Sequence, residues 1–307
     1  MGGEAQRMAG ANGQHPGAGI GRLLEVRESE ASPEVQAIFT EITRTVRVPY
    51  VGLLWRVLAA DPPVLRAAWR AVAPNLRTLA AERAADQLRE RALIVEAAGI
   101  ASHKAFKGDL ARAEIDYDLR IRIANFNHMA LYALPKHLLA AVMLSEALAG
   151  RQPVGGSDAQ EIPPGPVPGA VAVTPVDPTV IRGRAAELLP AIAAAHGHPV
   201  VEDYFRGLAR LPDYLAAAWN ALKPVVRDEV YDERGRELVA RARAAYRALP
   251  HPVPFPDNAV PPARAGEIGA LLSLFAERML PDVLIDVAII TALTDGPDAR
   301  GRHPFAP

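Results

Sequence analysis

The hydrophobic and polar positions of this chain follow a pattern that occurs twice. Residues 49–92 align with residues 199–242 without a gap, at a constant offset of 150. Residue types that rarely coincide by chance recur in both copies: Pro49 and Pro199, Pro62 and Pro212, Pro74 and Pro224, Trp69 and Trp219. Two copies of one helical unit bury their apolar faces against each other. The pattern therefore predicts two packed halves with an internal crevice, a common place for a ligand.

Within each copy, apolar residues recur at helical spacing. Ser32 before Pro33 is typical of an N-cap followed by proline at the first helical position. Helices are predicted over residues 32–46, 50–60, 62–80, 82–98, 102–113, 116–129 and 134–149, and then over 179–195, 199–211, 212–230, 231–249, 264–280 and 281–294. Strand-like alternation is nearly absent, VAVTPV being the one candidate, and good helix formers dominate. The predicted fold is all-α, with two tandem pseudo-symmetric helical repeats.

The composition changes sharply between the two copies. Residues 151–178 are rich in proline and glycine, which favour extended chain over helix. We interpret this segment as a long crossover linker on the surface. The predicted organisation is a flexible N-terminal segment (1–31), a first repeat (32–150), the linker (151–178), a second repeat (179–294) and a C-terminal tail (295–307).

Charge and cysteine content narrow the function classes. Half of the residues are hydrophobic and the net charge is −1, so there is no electrostatic footprint for nucleic acid. With no cysteine, there are no disulfides and no thiol chemistry. No stretch of about 20 uninterrupted apolar residues predicts a membrane span, and the first residues do not resemble a signal peptide. We expect a cytoplasmic protein without membrane partners.

Familiar cofactor and metal motifs are missing from the sequence. There is no glycine-rich phosphate loop before a helix and no HExxH motif. The eight histidines share no ligand spacing, and the pair His196 and His198 falls in a break between helices, where a surface position is expected. We predict no metal and no cofactor.

The two copies differ most in chemistry at the start of one helix. Gly52 and Leu53 of the first copy correspond to Glu202 and Asp203 of the second, and Leu54 corresponds to Tyr204. An acid that faces its twin's apolar wall would be partly desolvated, as a general base requires. The alternative is that both acids merely complement the dipole in the first turn of a helix that begins at Pro199.

Two further positions are candidates in the first copy. Thr78 and Glu82 lie four residues apart, on one helix face; the alternative is that this charged helix simply faces solvent. Tyr50 and Leu53 belong to an apolar cluster after Pro49 that could line a pocket or simply pack. The two matching tryptophans are interpreted as core.

The chain also resembles a known family. RVPYVGLLWRVLAADPPVLRAAWRAV, AADQLRERAL, LPKHLLAAVMLSEALAGRQPVGG and YDERGRELVARARAAYRALP are similar to segments of the group I 2-haloacid dehalogenases, an all-helical family acting on D- and L-substrates. The resemblance runs collinearly over residues 35–294 and includes the duplication. It implies a homodimer and a small carboxylic acid substrate. In the implied reaction, an aspartate deprotonates a water, which displaces halide from the α-carbon with inversion and without an enzyme ester.

The resemblance assigns site positions residue by residue. The family's threonine and glutamate match Thr78 and Glu82. Its aromatic positions fall on Tyr50, which is aromatic, and on Leu53, which is not. Its asparagine before Pro-Lys falls on Leu134, and the nearest asparagines lie about two turns away, too far to substitute without rearrangement.

The catalytic aspartate can be placed in two ways. Counting back from Pro212 without a gap places Tyr204 at that position, whereas an insertion at the helix start brings in Asp203. Three hypotheses follow. The first is a cofactor-independent dehalogenase with Asp203 as base and Thr78, Glu82 and Tyr50 around the substrate. The second is a divergent enzyme in which Tyr204 acts on another ligand. The third is a non-catalytic helical-repeat protein.

Overall fold

The computed structural model describes residues 23–93, 100–172, 174–256 and 260–296, together with Ala299 and Phe305. Within these residues the chain forms twelve α-helices and no strand, which confirms the predicted all-α class. A π-helical turn, Phe275–Met279, joins the last two helices. The helices are α1 (Pro33–Val46), α2 (Leu53–Leu58), α3 (Pro62–Leu76), α4 (Leu79–Ala92), α5 (Ile100–Arg112), α6 (Tyr117–Leu148), α7 (Arg184–His196), α8 (Asp203–Leu208), α9 (Pro212–Leu222), α10 (Glu229–Ala248), α11 (Ala265–Leu274) and α12 (Leu280–Asp295).

Three pairs of helices begin at matching positions of the two copies. α2 and α8 begin at residues 53 and 203, α3 and α9 at 62 and 212, and α4 and α10 at 79 and 229. Each start is therefore 150 residues from its counterpart. Several boundaries differ from the sequence prediction: α9 ends at Leu222 rather than at residue 230, α7 begins at Arg184 rather than at residue 179, α8 begins at Asp203 rather than at residue 199, and α3 ends at Leu76 rather than at residue 80.

The helix starts follow from local capping. The Ser32, Asp61 and Thr78 side chains each accept a hydrogen bond from the backbone N–H three residues later, at 3.2–3.3 Å. Such bonds satisfy N–H groups that have no partner inside the helix. The cap at Thr78 explains why α3 and α4 are separate helices, since an N-cap residue has extended dihedral angles (φ −90°, ψ 150°).

The long helix α6 forms the centre of the core and packs against α12, α4, α10 and α3. Two helices were predicted here, over 116–129 and 134–149, but the structure has one of 32 residues with Pro135 inside it. Burial explains the difference, because neighbouring helices surround the segment and compensate for the hydrogen bond that proline removes. α6 is long and apolar enough to cross a membrane by composition, but its most apolar stretch is 89% buried within the protein.

The linker binds both halves through its backbone. Val154 N–H donates to the Arg247 carbonyl at 2.8 Å, and Val167 N–H donates to the Arg47 carbonyl at 3.1 Å. Further along, Val176 N–H donates to the Arg206 carbonyl at 3.2 Å. The linker thus runs from the second half to the first and back.

The end of the predicted flexible segment is also packed. Val26 N–H donates to the Arg56 carbonyl at 3.0 Å, and Glu28–Glu30 form a short 3₁₀ turn. Val26 thus contacts α2 within the predicted flexible segment, and the flexibility of that segment stays a prediction. Residues 1–22 and most of the predicted tail lie outside the described residues, although Phe305 packs on Tyr132.

Asn75 connects the end of α3 to the segment after α10. Its side-chain amide donates to the His251 carbonyl at 2.8 Å and its oxygen accepts from His251 N–H at 3.0 Å. We expect Asn75→Ala to lower the free energy of unfolding by about 2–4 kcal/mol, because two backbone groups lose their partners. Urea unfolding measures this. The exposed Asn220→Ala on α9 is the control and should cost less than about 0.5 kcal/mol; equal losses in the two variants would contradict the assignment.

Candidate active site

A buried ion pair joins the two halves where α2 faces α8. Arg56 of α2 donates to both carboxylate oxygens of Asp203, at 2.8 and 2.7 Å. Each residue is about 5% exposed or less. Such bidentate pairing fixes the orientation of a carboxylate as well as neutralising it. The candidate base identified from the sequence is therefore a rigidly held group at the interface of the copies.

Glu25 and Arg206 extend this pair into a cluster of four. Glu25 accepts from Arg56 at 2.8 Å and from both terminal nitrogens of Arg206 at 2.9 and 2.8 Å. Arg206 also lies 3.4 Å from Asp203. Burial alone would raise the pKa of Glu25, but the hydrogen bond from Arg206 and the charge of Arg56 outweigh it and hold that pKa below its usual value. With two cations and two acids, the cluster is neutral.

A small cavity lies beside the cluster, between the halves. Its free volume of about 10 Å³ is about enough for one water. Residues from α2 and the segment before it, from one face of α6, from the start of α8 and from α12 line it: Tyr50, Gly52, Leu53, Leu54, Phe126, Ala130, Leu134, His137, Glu202, Asp203, Tyr204 and Leu280. The crevice predicted from the duplication is thus present as a nearly closed pocket.

Five of the seven predicted site residues line this cavity: Tyr50, Leu53, Leu134, Asp203 and Tyr204. Thr78 and Glu82 do not, and the structure separates them from it. Thr78 caps α4 and donates its hydroxyl proton to the Asn75 carbonyl at 2.7 Å. Both residues are buried, so the alternative of a solvated helix face is wrong as well.

Glu82 belongs to a second buried ion pair. Its carboxylate lies 2.8 Å from the Lys136 ammonium group, which also donates to the Val46 carbonyl at 3.1 Å. Burial lowers the pKa of Lys136 to about 8, although Glu82 opposes the shift. Because Lys136 lies between Leu134 and His137 on α6, this pair anchors the turn that forms one wall of the cavity.

Tyr204 makes contacts that direct its hydroxyl toward α6. The hydroxyl donates to Asn127 Oδ1 at 2.9 Å, and the ring stacks on Phe126 at 5.4 Å between centroids. Burial raises the pKa of Tyr204 well above its usual value. Since α6 is continuous, Asn127 lies on the same face as Leu134 and contacts α8 through Tyr204, but it does not line the cavity. That it would not substitute for the family's asparagine without rearrangement stays a prediction.

Glu202 is a buried N-cap residue that lines the cavity, in addition to complementing the dipole of α8. It is the N-cap of α8, and its Oε2 accepts from Asp203 N–H at 2.6 Å. It is 5% exposed. Burial, together with the adjacent charge of Asp203, raises the pKa of Glu202 to about 8. The site thus contains two neighbouring carboxyl groups with different environments, one paired with a cation and the other not.

His137 is a site residue that the sequence reasoning missed. Its ring fills the space beside Gly52, where a Cβ atom would lie 2.5 Å from His137 Cε1. Burial lowers the pKa of His137 to about 4, so the ring is neutral. Its Nε2 has no hydrogen-bond partner among the described residues. The signal was present in the sequence, because Phe126, Ala130, Leu134 and His137 share one helical face.

The histidine pair expected at the surface is buried instead. His196 Nε2 lies 2.9 Å from an Asp286 oxygen, and His198 Nε2 lies 3.0 Å from an Asp282 oxygen. Burial lowers the pKa of His196, but Asp286 outweighs it and raises the pKa to about 9. Within the described ranges, no group of three or more histidine and acidic residues could hold a metal ion.

Comparison with known proteins identifies the family. No protein-family model matches the chain. The chain is 34% identical to a configuration-inverting 2-haloacid dehalogenase of Alcaligenes xylosoxydans xylosoxydans over 294 residues, 92% of this chain and 97% of the relative. It is 29% identical to an (R)-2-haloacid dehalogenase of Pseudomonas putida, over 74% of this chain and 77% of the relative.

Solved structures agree with these relatives. The fold matches a D-2-haloacid dehalogenase mutant in complex with D-2-CPA, with a TM-score of 0.80 and 26% identity over 89% of this chain and 96% of that chain. A D-2-haloacid dehalogenase in complex with L-LA gives a TM-score of 0.78 and 25% identity over the same shares. A nearly full-length relative above 30% identity and this structural match lead to one conclusion: the chain belongs to the configuration-inverting 2-haloacid dehalogenase family.

Proposed function

We propose that this chain is a hydrolase that displaces halide from the α-carbon of small 2-haloacids with inversion, and that Asp203 activates the attacking water. The relatives' names supply the reaction class. The observation that carries the residue assignment is the Asp203 carboxylate, which lines a nearly dry cavity and is fixed by Arg56. Both the substrate and the product carry a free carboxylate group, and in this proposal no cofactor takes part.

The geometry suits direct attack by water. Each oxygen of the Asp203 carboxylate accepts one hydrogen bond from Arg56 and keeps a second lone pair for a water. As the water oxygen bonds to the α-carbon, its proton passes to Asp203 and the carbon–halogen bond breaks on the opposite side. The products are the 2-hydroxyacid, halide and a proton that is later released to solvent. General base catalysis of this kind contributes about 10²–10⁴-fold to a rate.

The apolar residues that line the cavity together with Asp203 suit the rest of the substrate. Leu53, Leu134 and Phe126 provide aliphatic and aromatic contacts for an alkyl group and exclude bulk water. The cavity of about 10 Å³ has to enlarge before a 2-haloacid can enter, so we infer that substrate displaces these side chains. A short side chain on the substrate is therefore favoured over a long one.

Tyr204 is the alternative for the catalytic position, and its surroundings argue for Asp203 instead. The Tyr204 hydroxyl is already bonded to Asn127, and burial raises its pKa, which makes it a poor acid. Glu82 takes part as a positioning residue, because it holds Lys136 and thereby the α6 turn with Leu134. Thr78 supports it as the N-cap of α4, whose first turn contains Glu82. Their contribution is indirect.

We further propose that the enzyme is a homodimer, as the resemblance implies, and that it is cytoplasmic. The absence of cysteine suits a reducing compartment. An apolar groove of about 410 Å³ between α5, α9, α10 and α12 offers a surface for a second copy.

Replacing the base tests the assignment directly. Asp203→Asn should lower the rate of halide release from 2-chloropropionate by at least about 10²-fold, since the amide cannot accept the proton. Halide release on both enantiomers measures this, and circular dichroism shows that the variant is folded. Asp213→Asn, an exposed aspartate in the first turn of α9, is the matched control. An Asp203→Asn variant with more than a tenth of the wild-type rate would overturn the assignment.

The origin of the product oxygen tests the absence of an ester. In a single turnover in H₂¹⁸O with enzyme in excess, the lactate formed should carry ¹⁸O in its hydroxyl group, because water attacks carbon directly. The (R)-2-chloropropionate enantiomer should give (S)-lactate. Mass spectrometry and chiral chromatography measure the two properties; ¹⁶O-lactate in the first turnover would point to attack by a carboxylate.

Arg56 should be essential for both stability and activity. Arg56→Met leaves Arg206 as the one remaining close cation for both Asp203 and Glu25, so the buried cluster carries an uncompensated negative charge, which typically costs about 3–5 kcal/mol. Urea unfolding and halide release measure the two effects. Arg241→Met is the matched control, since Arg241 pairs with Glu237 on an exposed helix face, where a pair contributes about 0.3–0.5 kcal/mol. Equal stabilities of the two variants would contradict the role of Arg56.

A further inference from the structure

The cavity presents an electrostatic problem for an anionic substrate. Its charged lining consists of two acids, Glu202 and Asp203. The nearest cation, Arg56, already donates to both oxygens of Asp203 and to Glu25. A substrate carboxylate that enters this space meets like charge in a medium of low dielectric constant, where repulsion is strong. Because Arg56 balances the charge of Asp203, the charge left to oppose an anion is that of Glu202, and binding is favoured when this acid is uncharged.

Glu202 is the acid that lacks a cation. Its one hydrogen bond among the described residues is the bond that Oε2 accepts from Asp203 N–H. No ion pair within the described part of the chain includes it, whereas Asp203 lies within 3.4 Å of two arginines. The two neighbouring carboxyl groups thus have opposite environments, which is the arrangement that separates an acid from a base.

The surroundings of Glu202 favour its neutral form on balance. Burial and the charge of Asp203 oppose its ionisation, and together they outweigh the hydrogen bond from Asp203 N–H and the charges of Arg56 and Arg206, which favour it. On its other side, Glu202 borders a second small cavity that it shares with the ion-paired His196 and Asp286 and with His198. The remaining ionisable groups that line its own cavity are Tyr50, Tyr204 and His137.

Resting on the proposed function, we infer that Glu202 is a protonated carboxylic acid in the substrate complex and that its O–H donates a hydrogen bond to the substrate carboxylate. The proton stays on Glu202 throughout, and the enzyme takes it from water if Glu202 is ionised before binding. Neutral His137, with an unpartnered Nε2 in the same cavity, binds the anion without adding charge. Glu202 is thereby a substrate-binding residue and Asp203 the base.

A purely structural role for Glu202 makes a different prediction. An N-cap side chain that only accepts from Asp203 N–H would be ionised and would not sense the ligand. Substrate binding would then be independent of pH across the range in which Glu202 titrates. The two roles are therefore separated by the protons that accompany binding.

Calorimetry with isobutyrate, a non-reactive carboxylate in which methyl replaces the halogen, tests the inference. In two buffers of different ionisation enthalpy, the wild type should take up nearly no proton at pH 6.5 and close to one at pH 9.5. Its affinity should fall up to tenfold per pH unit above about pH 8. Glu202→Gln keeps a hydrogen-bond donor and should bind with no proton uptake and with constant affinity. Glu229→Gln, an exposed acid in the first turn of α10, should behave as the wild type.

Several results would overturn the inference: no proton uptake by the wild type at pH 9.5, the same pH dependence in Glu202→Gln, or no binding of isobutyrate by the wild type at pH 6.5. Halide release from 2-chloropropionate is measured in parallel. Halide release without proton-linked binding would refute the role of Glu202 alone. Proton-linked binding of isobutyrate without any halide release would refute the proposed function and leave the binding site.

Discussion

The Arg56–Asp203 ion pair is the interaction on which the rest of this structure depends. It connects α2 and α8, two helices of six residues that are too short to be stable alone. Glu25 and Arg206 complete a neutral cluster, so the N-terminal segment and both halves meet at one buried point. Because an unpaired buried charge costs more than the pair gains, none of these groups can be removed singly without a large penalty. The Asp203 carboxylate therefore both connects the two halves and is the candidate base.

The duplication extends to the two non-helical segments beside this pair, one before α1 and one at the end of the linker. Val26 N–H donates to the Arg56 carbonyl and Val176 N–H donates to the Arg206 carbonyl, and both donors and acceptors are 150 residues apart. The N-terminal segment and the end of the linker are therefore equivalent pieces of the two copies. Glu25 breaks the equivalence, since residue 175 is a proline. The asymmetry supplies the acid that balances the second arginine.

The all-α class and most helix starts could be predicted from the sequence, because caps such as Ser32 and the prolines act locally. The continuity of α6 through Pro135 could not, since it depends on the helices that surround the segment. Asp203 stood out because the copies differ there. The helical face of His137 could be predicted as well, but the place of its ring in the cavity could not, because the missing side chain of Gly52 at the start of α2 sets it. Burial of the Glu82 carboxylate likewise depends on Lys136, 54 residues away.

Matching positions of the core helices of the two copies also carry opposite charges. Lys136 of α6 contacts the carbonyl of Val46, and at the same offset Asp286 of α12 contacts the side chain of His196. A cation in one half thus corresponds to an anion in the other.

The same exchange governs the cavity. Gly52 faces His137 in the first half, whereas Glu202 stands at the matching cap and residue 287, a valine, matches the histidine. Two identical halves would place either two acids or two apolar walls around the crevice, whereas the proposed function needs both a base and apolar contacts for the substrate. An acid-bearing wall that faces an apolar one exists here because the copies diverged at their cap residues while keeping Arg56 and Arg206 in common. The chemistry of this site therefore follows from the cap residues at which the two copies differ, and its position follows from Arg56 and Arg206, which the two copies share.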